Sequence, residues 1–170
     1  LEMALKRVNI APLGLYLNAI ASGEAVLTPD EKEEGVAVID IGGGTTDVVV
    51  YQDNIIRHVG IVPMGGNVIN KDIRSYGILE KHVESLKTRY GEAMRDAAQP
   101  DKYITTPGLS AKASKEISAQ NLAAIIEARM LDIIDFAIEE IKKSGYHDKL
   151  GAGVVLTGGG AQLKHVDLLF

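Results

Sequence analysis

The sequence contains no cysteine, which excludes a disulfide framework and a zinc site built from thiolates. It has no uninterrupted apolar run of the roughly 18 to 20 residues that a membrane-spanning helix needs, and no secretory signal is visible at its start. Lysine and arginine are scattered rather than gathered in a basic block, and the formal net charge is −5. This charge pattern argues against a nucleic-acid partner. The four histidines show no metal-ligand spacing.

The chain is long enough, and apolar enough, to build a core. It has 170 residues, of which 46% are hydrophobic, and this length suits one domain or two small lobes. It starts without methionine and ends on the apolar segment "VDLLF". We therefore expect it to be a piece of a longer protein.

The order of the predicted elements is typical of an α/β protein. Apolar runs predict strands at 36–41, 47–51, 55–62 and 153–157. Helical spacing of apolar residues predicts helices at 13–22, 67–76 and 80–90, a long helix between Ser118 and Gly145, and a last helix after Gly160. The segment "TPDEKEEG" is expected to be a charged connector, and "KYITT" and "SKEIS" the arms of an edge hairpin turning at Pro107–Gly108. Together these elements predict a mixed sheet.

A glycine-rich loop separates the first two predicted strands, in the stretch "DIGGGTTD". Glycines permit a tight turn and let backbone N–H groups approach an anion closely, and phosphate is the anion such loops bind best. Asp40, at the end of the first strand, would repel a bare phosphate unless a divalent cation with its water shell lay between them. The simpler alternative is a tight hairpin whose glycines serve geometry alone.

A second glycine run, Gly158 to Gly160, also follows a predicted strand and precedes a predicted helix. Two such loops at strand ends indicate one cleft with a nucleotide lying across it. Neither run matches the G-x-x-x-x-G-K-[ST] or the G-x-G-x-x-G pattern, because Asp47 and Leu163 stand where the latter needs its third glycine. A P-loop enzyme and an ordinary dinucleotide-binding dehydrogenase are therefore poor interpretations.

These motifs carry a family resemblance. "DIGGGTTDVVVY" and "VVLTGGGAQL" resemble the second phosphate motif and the adenosine motif of the actin-like ATPase superfamily. With "AVLTPDEKEEG", "PMGGNVINKDI", "VESLKTRYG" and "LAAIIEARMLDII", the chain is similar to the second half of the FtsA family of bacterial cell-division proteins. The resemblance implies an actin-like (ribonuclease H-like) mixed sheet with flanking helices, formed by 1–66 and 145–170. It also implies a smaller α+β subdomain at 67–144.

The same resemblance implies a site for ATP and Mg²⁺. Asp40 would organise Mg²⁺ through water, and Glu84 and Lys87 would contact the ribose and adenine. From the residues alone, Glu84 and Lys87 share a helix face, and an exposed ion pair is the simpler interpretation. The remaining implied contacts are glycines and threonines. Those at the phosphates are Gly42, Gly43, Gly44, Thr45 and Thr46, and those under the adenosine are Gly158, Gly159 and Gly160.

The resemblance also implies partners. The FtsZ C-terminal tail would dock at Arg129, protomers would assemble into filaments, and a C-terminal helix missing here would bind the inner face of the cytoplasmic membrane. Judged by its helix alone, Arg129 is either a snorkelling edge residue or an anion contact. With half of the cleft missing, we expect weak ATP binding and no hydrolysis. The alternative is another actin-like ATPase, such as a pilus-assembly adaptor, a rod-shape filament protein or a chaperone-type ATPase.

Overall fold

The computed structural model describes residues 1–107 and 114–170, and a four-stranded mixed sheet lies at its centre. The six strands are β1 (Val36–Ile41), β2 (Thr46–Gln52), β3 (Ile55–Val62), β4 (Tyr103–Pro107), β5 (Ser114–Ser118) and β6 (Val154–Thr157). The central sheet has the order β3-β2-β1-β6, with β1 antiparallel to β2, β2 antiparallel to β3, and β1 parallel to β6. The predicted mixed sheet is confirmed.

The described residues form six α-helices. They are α1 (Glu2–Arg7), α2 (Asn18–Val26), α3 (Pro29–Glu34), α4 (Gly66–Ser75), α5 (Glu80–Tyr90) and α6 (Ala119–Lys143). Within the described residues, none of them is both long and apolar enough to cross a bilayer.

Strand β1 is buried on both faces of the sheet. Successive side chains of a strand point to opposite faces. Ala37, Ile39 and Ile41 belong to the larger apolar cluster, whereas Val36 and Val38 belong to a smaller cluster beneath α2. All five are at most 1% exposed. A continuous apolar run is therefore what a strand covered on both faces requires.

The long helix α6 packs across β2 and β3 and against α4. Its start is confirmed, because the Ser118 hydroxyl accepts a hydrogen bond from the Asn121 amide at 3.1 Å. The chain leaves the helix through Gly145, whose φ of 73° favours glycine. The buried stripe along α6 includes Ile126, Met130 and Ile133.

The hairpin of β4 and β5 confirms the two predicted arms, with Ile104 opposite Ile117 in the register. The turn predicted at Pro107–Gly108 lies outside the described residues from Gly108 onward. Ile104 and Ile117 join the same apolar cluster as the sheet, α4, α5 and α6. The division into 1–66 with 145–170 and 67–144 stays a prediction.

Three local predictions were wrong. The helix predicted at 13–22 begins later, at Asn18, and "TPDEKEEG" contains the short helix α3 rather than an irregular connector. Thr28 and Glu31 form a capping box there, with the Thr28 amide donating to the Glu31 carboxylate at 2.7 Å. After β6 the chain forms 3₁₀ turns at Gly160–Gln162 and Val166–Leu169 in place of an α-helix.

Candidate functional site

A cavity of 410 Å³ lies where the β1–β2 loop, the start of α4, α5 and the segment after β6 meet. This volume is within the range of small-molecule sites. Six of its lining residues have no side chain, so that a ligand can reach the backbone. These are Gly42, Gly43, Gly66, Gly91, Gly159 and Gly160.

The cavity brings together residues that the sequence analysis placed in one site. Gly42 and Gly43 from the first glycine run, Glu84 and Lys87 from α5, and Gly159 and Gly160 from the second run all line it. Parallel pairing of β1 with β6 explains this arrangement, because Asp40 stands opposite Thr157 and both glycine runs leave the sheet at the same edge.

Other predicted site residues support the walls of the cavity. The buried Thr46 hydroxyl donates to the Met64 carbonyl at 2.9 Å, which ties β2 to the segment before α4. Thr45 accepts at its carbonyl from the Gly42 amide at 2.9 Å and closes the loop. Gly158 has a φ of 85° and leaves no room for a Cβ beside Asp40, whereas Gly44 faces open space.

The first turn of α4 holds the β1–β2 loop in place. The Gly66 amide donates to the Gly42 carbonyl at 2.9 Å, and the Asn67 amide donates to the Gly43 carbonyl at 2.8 Å. Gly43 and Gly44 donate no backbone hydrogen bond of their own to any described residue. Their amides are thus available to an anion. The sequence analysis did not assign Gly66 and Asn67 to the site, although "GGN" after a strand was a signal for close backbone contact.

Glu84 and Lys87 form the polar side of the cavity. The Lys87 ammonium group is buried, donates to the Gly66 carbonyl at 3.1 Å and pairs with Glu84 at 2.9 Å. The amide group of Asn70 donates to the same Glu84 oxygen at 2.6 Å. Desolvation raises the pKa of Glu84, but the hydrogen bonds from Asn70 and Lys87 outweigh it and leave the pKa lowered. The carboxylate is therefore ionised at neutral pH and fixed by two donors.

Asp40 and Asp47 are direct cross-strand partners on β1 and β2. The Ser22 hydroxyl donates to Asp40 at 2.6 Å, and the Asn18 amide group bridges both acids, at 3.5 Å to Asp40 and 3.0 Å to Asp47. Two like charges directly opposite are unfavourable without a cation nearby. No group of three or more His, Cys, Asp or Glu able to hold a metal occurs in the described part of the chain. The two facing carboxylates are oxygen ligands of the kind that Mg²⁺ takes, and a cation held by Asp40 through water stays a prediction.

Arg129 lies on α6 and is absent from the cavity lining. Its Nε donates to Asp72 of α4 at 2.8 Å, and its Nη1 donates to Asp132 at 3.0 Å. The hydrogen bond to Asp72 raises the pKa of Arg129. Both partners are carboxylates of the same chain, and docking of another protein at Arg129 stays a prediction.

The mixed sheet, flanked by helices and with two glycine runs at one edge, shares its fold with solved actin-like structures. The solved structure of MreB 5 of Spiroplasma citri bound to AMPPNP superposes with a TM-score of 0.77 at 23% identity, covering 98% of this chain and 55% of that one. The MamK double helical filament gives a TM-score of 0.70 at 14% identity, covering 99% and 53%. The predicted actin-like fold is confirmed.

Sequence relatives narrow the class to one family. Residues 37–170 match the family described as Cell division protein FtsA. Cell division protein FtsA of Neisseria meningitidis is 42% identical over 160 residues, covering 93% of this chain and 39% of the relative. That of Escherichia coli K12 is 35% identical over 169 residues, covering 95% and 40%. The chain belongs to the FtsA family of cell-division proteins, and it spans about two fifths of the length of these relatives.

Proposed function

We propose that this chain forms one wall of the nucleotide cleft of an FtsA protein that polymerises and anchors the FtsZ ring to the inner face of the cytoplasmic membrane. The observation that carries the nucleotide part is the cavity with six glycines along its lining. Membership of the FtsA family carries the cell-division part. The family match favours this function over the pilus-assembly, rod-shape and chaperone-type alternatives.

ATP is the proposed ligand of the cavity. The amides of Gly43 and Gly44 would receive the phosphates, and Gly159 and Gly160 would lie beneath the adenosine. The ionised Glu84 carboxylate would accept from the ribose hydroxyls, since Asn70 and Lys87 hold it in place. Two actin-like neighbours, described as MreB5 bound to ADP and to AMPPNP, are consistent with this assignment.

Mg²⁺ is the proposed counter-ion of the bound phosphates. It would supply positive charge between the phosphate oxygens and Asp40, which would hold it through water. Ser22 and Asn18 keep the Asp40 carboxylate fixed for this purpose. Asp40 is assigned to the metal alone, and no residue is assigned as a catalytic base.

Binding of a fluorescent ATP analogue, followed by anisotropy with and without Mg²⁺, tests the nucleotide site. Glu84→Gln should weaken binding about three- to tenfold by removing a charged acceptor of hydrogen bonds. The matched control is Glu80→Gln, an exposed carboxylate on the same helix whose partner is Arg74. Equal affinity of the Glu84→Gln and Glu80→Gln variants for the ATP analogue would contradict the role of Glu84. In a separate variant, Asp40→Asn should abolish the dependence of binding on Mg²⁺.

The proposed protein partners are the FtsZ C-terminal tail and further copies of the FtsA protein. The tail would dock on α6 at Arg129, where a guanidinium can bind a carboxylate with two hydrogen bonds. The double helical filament described for MamK is consistent with self-association of this fold. Membrane attachment through a C-terminal helix of the full-length protein is part of the same proposal.

Titration of the FtsZ tail peptide onto the 170-residue chain tests the docking site. Arg129→Glu should weaken binding by more than about tenfold, which corresponds to roughly 1.4 kcal/mol. The control is Arg74→Glu, which reverses an exposed charge on α4 whose partner is Glu80. A folded chain that binds the peptide equally well with and without Arg129→Glu would contradict docking at Arg129.

A further inference from the structure

The guanidinium of Arg129 is already engaged by carboxylates of its own chain. Asp72, which belongs to α4, accepts from Nε at 2.8 Å, and Asp132, one turn further along α6, accepts from Nη1 at 3.0 Å. The side chains of Asp72 and Arg129 are 35% and 32% exposed, so the pair lies at the solvent boundary between the two helices. An incoming ligand can therefore reach Arg129 without opening the core.

We propose that Asp72 is a specificity-determining residue of the Arg129 surface, acting as an internal competitor that an acidic peptide must displace. This inference rests on the docking site proposed above and deepens it. Asp72 offers Arg129 the chemical group that a peptide carboxylate would offer. In the free chain, Arg129 is thus already paired with a carboxylate of the same chain.

Two physical consequences follow from an internal competitor. The apparent affinity of the peptide is reduced by the fraction of chains in which Arg129 is released from Asp72. A carboxylate of the peptide can replace the acceptor that Arg129 loses when it leaves Asp72, whereas a neutral amide accepts that hydrogen bond more weakly. Asp72 therefore lowers the affinity for peptides that bind through Arg129, and its negative charge lowers the affinity for acidic peptides more than for neutral ones.

The experiment compares Asp72→Asn with the wild-type chain, using the FtsZ tail peptide and a copy whose aspartate and glutamate residues are replaced by asparagine and glutamine. Asp72→Asn removes the competing charge and nearly preserves the shape of the side chain. We expect about two- to fivefold tighter binding of the acidic peptide, a gain of the size that partly exposed ion pairs provide. The selectivity for the acidic over the neutral peptide should rise with this gain, because the neutral peptide gains less.

The matched control is Glu80→Gln, which removes one negative charge near α4 without removing a partner of Arg129. If only Asp72→Asn binds the acidic peptide more tightly, the role of Asp72 as a competitor is supported. If Glu80→Gln gains the same affinity, the effect comes from net charge and that role is overturned. If Asp72→Asn does not fold, Asp132→Asn removes the second carboxylate from an exposed position. It should produce a smaller gain in the same direction.

The outcomes separate this inference from the docking proposal. If the wild-type chain binds the acidic peptide and Asp72→Asn binds it no more tightly, Asp72 is not a competitor. Docking at Arg129 is unaffected by that result. Binding only after Asp72→Asn supports both, because the wild-type surface is then closed by its own carboxylate. If neither chain binds the acidic peptide, both proposals are wrong. Structural damage alone cannot produce tighter binding, so the expected gain is a specific signature.

Discussion

The ammonium group of Lys87 lies 3.1 Å from the carbonyl oxygen of Gly66, and this hydrogen bond joins α5 to the first residue of α4. Lys87→Met should lower the free energy of unfolding by about 2 kcal/mol, because a charged donor is lost and the Gly66 carbonyl loses its partner. Urea unfolding measures this change. Lys81→Met, an exposed lysine on the same helix, is the control and should change stability by less than about 0.5 kcal/mol. Equal losses would contradict a role for the bond.

Two of the three glycines of the second glycine run differ in the space around them. A Cβ on Gly160 would overlap the side chain of Ile41, whereas a Cβ on Gly159 would have no heavy atom within 4 Å. Gly160→Ala should therefore destabilise the fold by about 1 to 3 kcal/mol through overpacking. Gly159→Ala should leave stability nearly unchanged while placing a methyl group in the cavity. Thermal unfolding of the pair tests this difference, and similar melting temperatures would show that the Ile41 contact is readily relieved.

Glu140 of α6 links the helix to the sheet edge and makes stability depend on pH. It accepts from Lys143 at 2.6 Å and from His58 at 3.1 Å, and these hydrogen bonds lower its pKa. The ionised carboxylate therefore stabilises the fold above its ordinary pKa of 4.5, and that contribution is lost as the pH falls through the lowered pKa.

The Glu140→Gln variant should accordingly lose less stability than the wild-type chain on acidification from about pH 7 to pH 3. Chemical unfolding at a series of pH values provides the measurement. Its control is Glu139→Gln, an exposed neighbour on the same helix, which should follow the wild-type curve. Parallel curves for all three chains would show that the His58 and Lys143 contacts contribute nothing.

The capping box of α3 gives a further prediction. The Thr28 hydroxyl accepts from the Glu31 amide at 3.3 Å, and the Glu31 carboxylate accepts from the Thr28 amide at 2.7 Å. Thr28→Ala should lower stability by about 1 kcal/mol. Thr28→Ser keeps the hydroxyl and should lose only a few tenths of that amount. If serine and alanine behave alike, the cap does not determine the stability of this segment.

The sequence predicted the elements whose signal is periodic or continuous. The strands β1 and β3, the helix α5 and the Ser118 cap of α6 lie where their patterns placed them. The start of α2 was missed because apolar spacing extended the prediction back to residue 13, whereas Leu13 and Leu15 are exposed and lie outside any helix. The helix α3 was missed because charge was taken as the mark of a connector, although the T-x-x-E spacing of a capping box was present.

The candidate site was predictable only as far as local motifs carry it. Both glycine runs were recognisable in the sequence, and parallel pairing of β1 with β6 brings them together. The sequence did not predict the hydrogen bond from the Gly66 amide to the Gly42 carbonyl, or the ion pair of Asp72 with Arg129. Both depend on how α4 packs against other elements. The spacing of a residue along a helix predicts the helix face on which it lies, whereas the tertiary fold determines which residue it contacts.

The helix α4 is short and is hydrogen-bonded to other elements at two points along its length. Its first two amides are bonded to the glycine loop, and Asp72, six residues or about 9 Å further along, is bonded to Arg129. A rigid rod transmits displacement along its length with little loss. The glycine loop and the guanidinium of Arg129 are thus tied to one helix, and a shift of α4 as a unit would alter both contacts together.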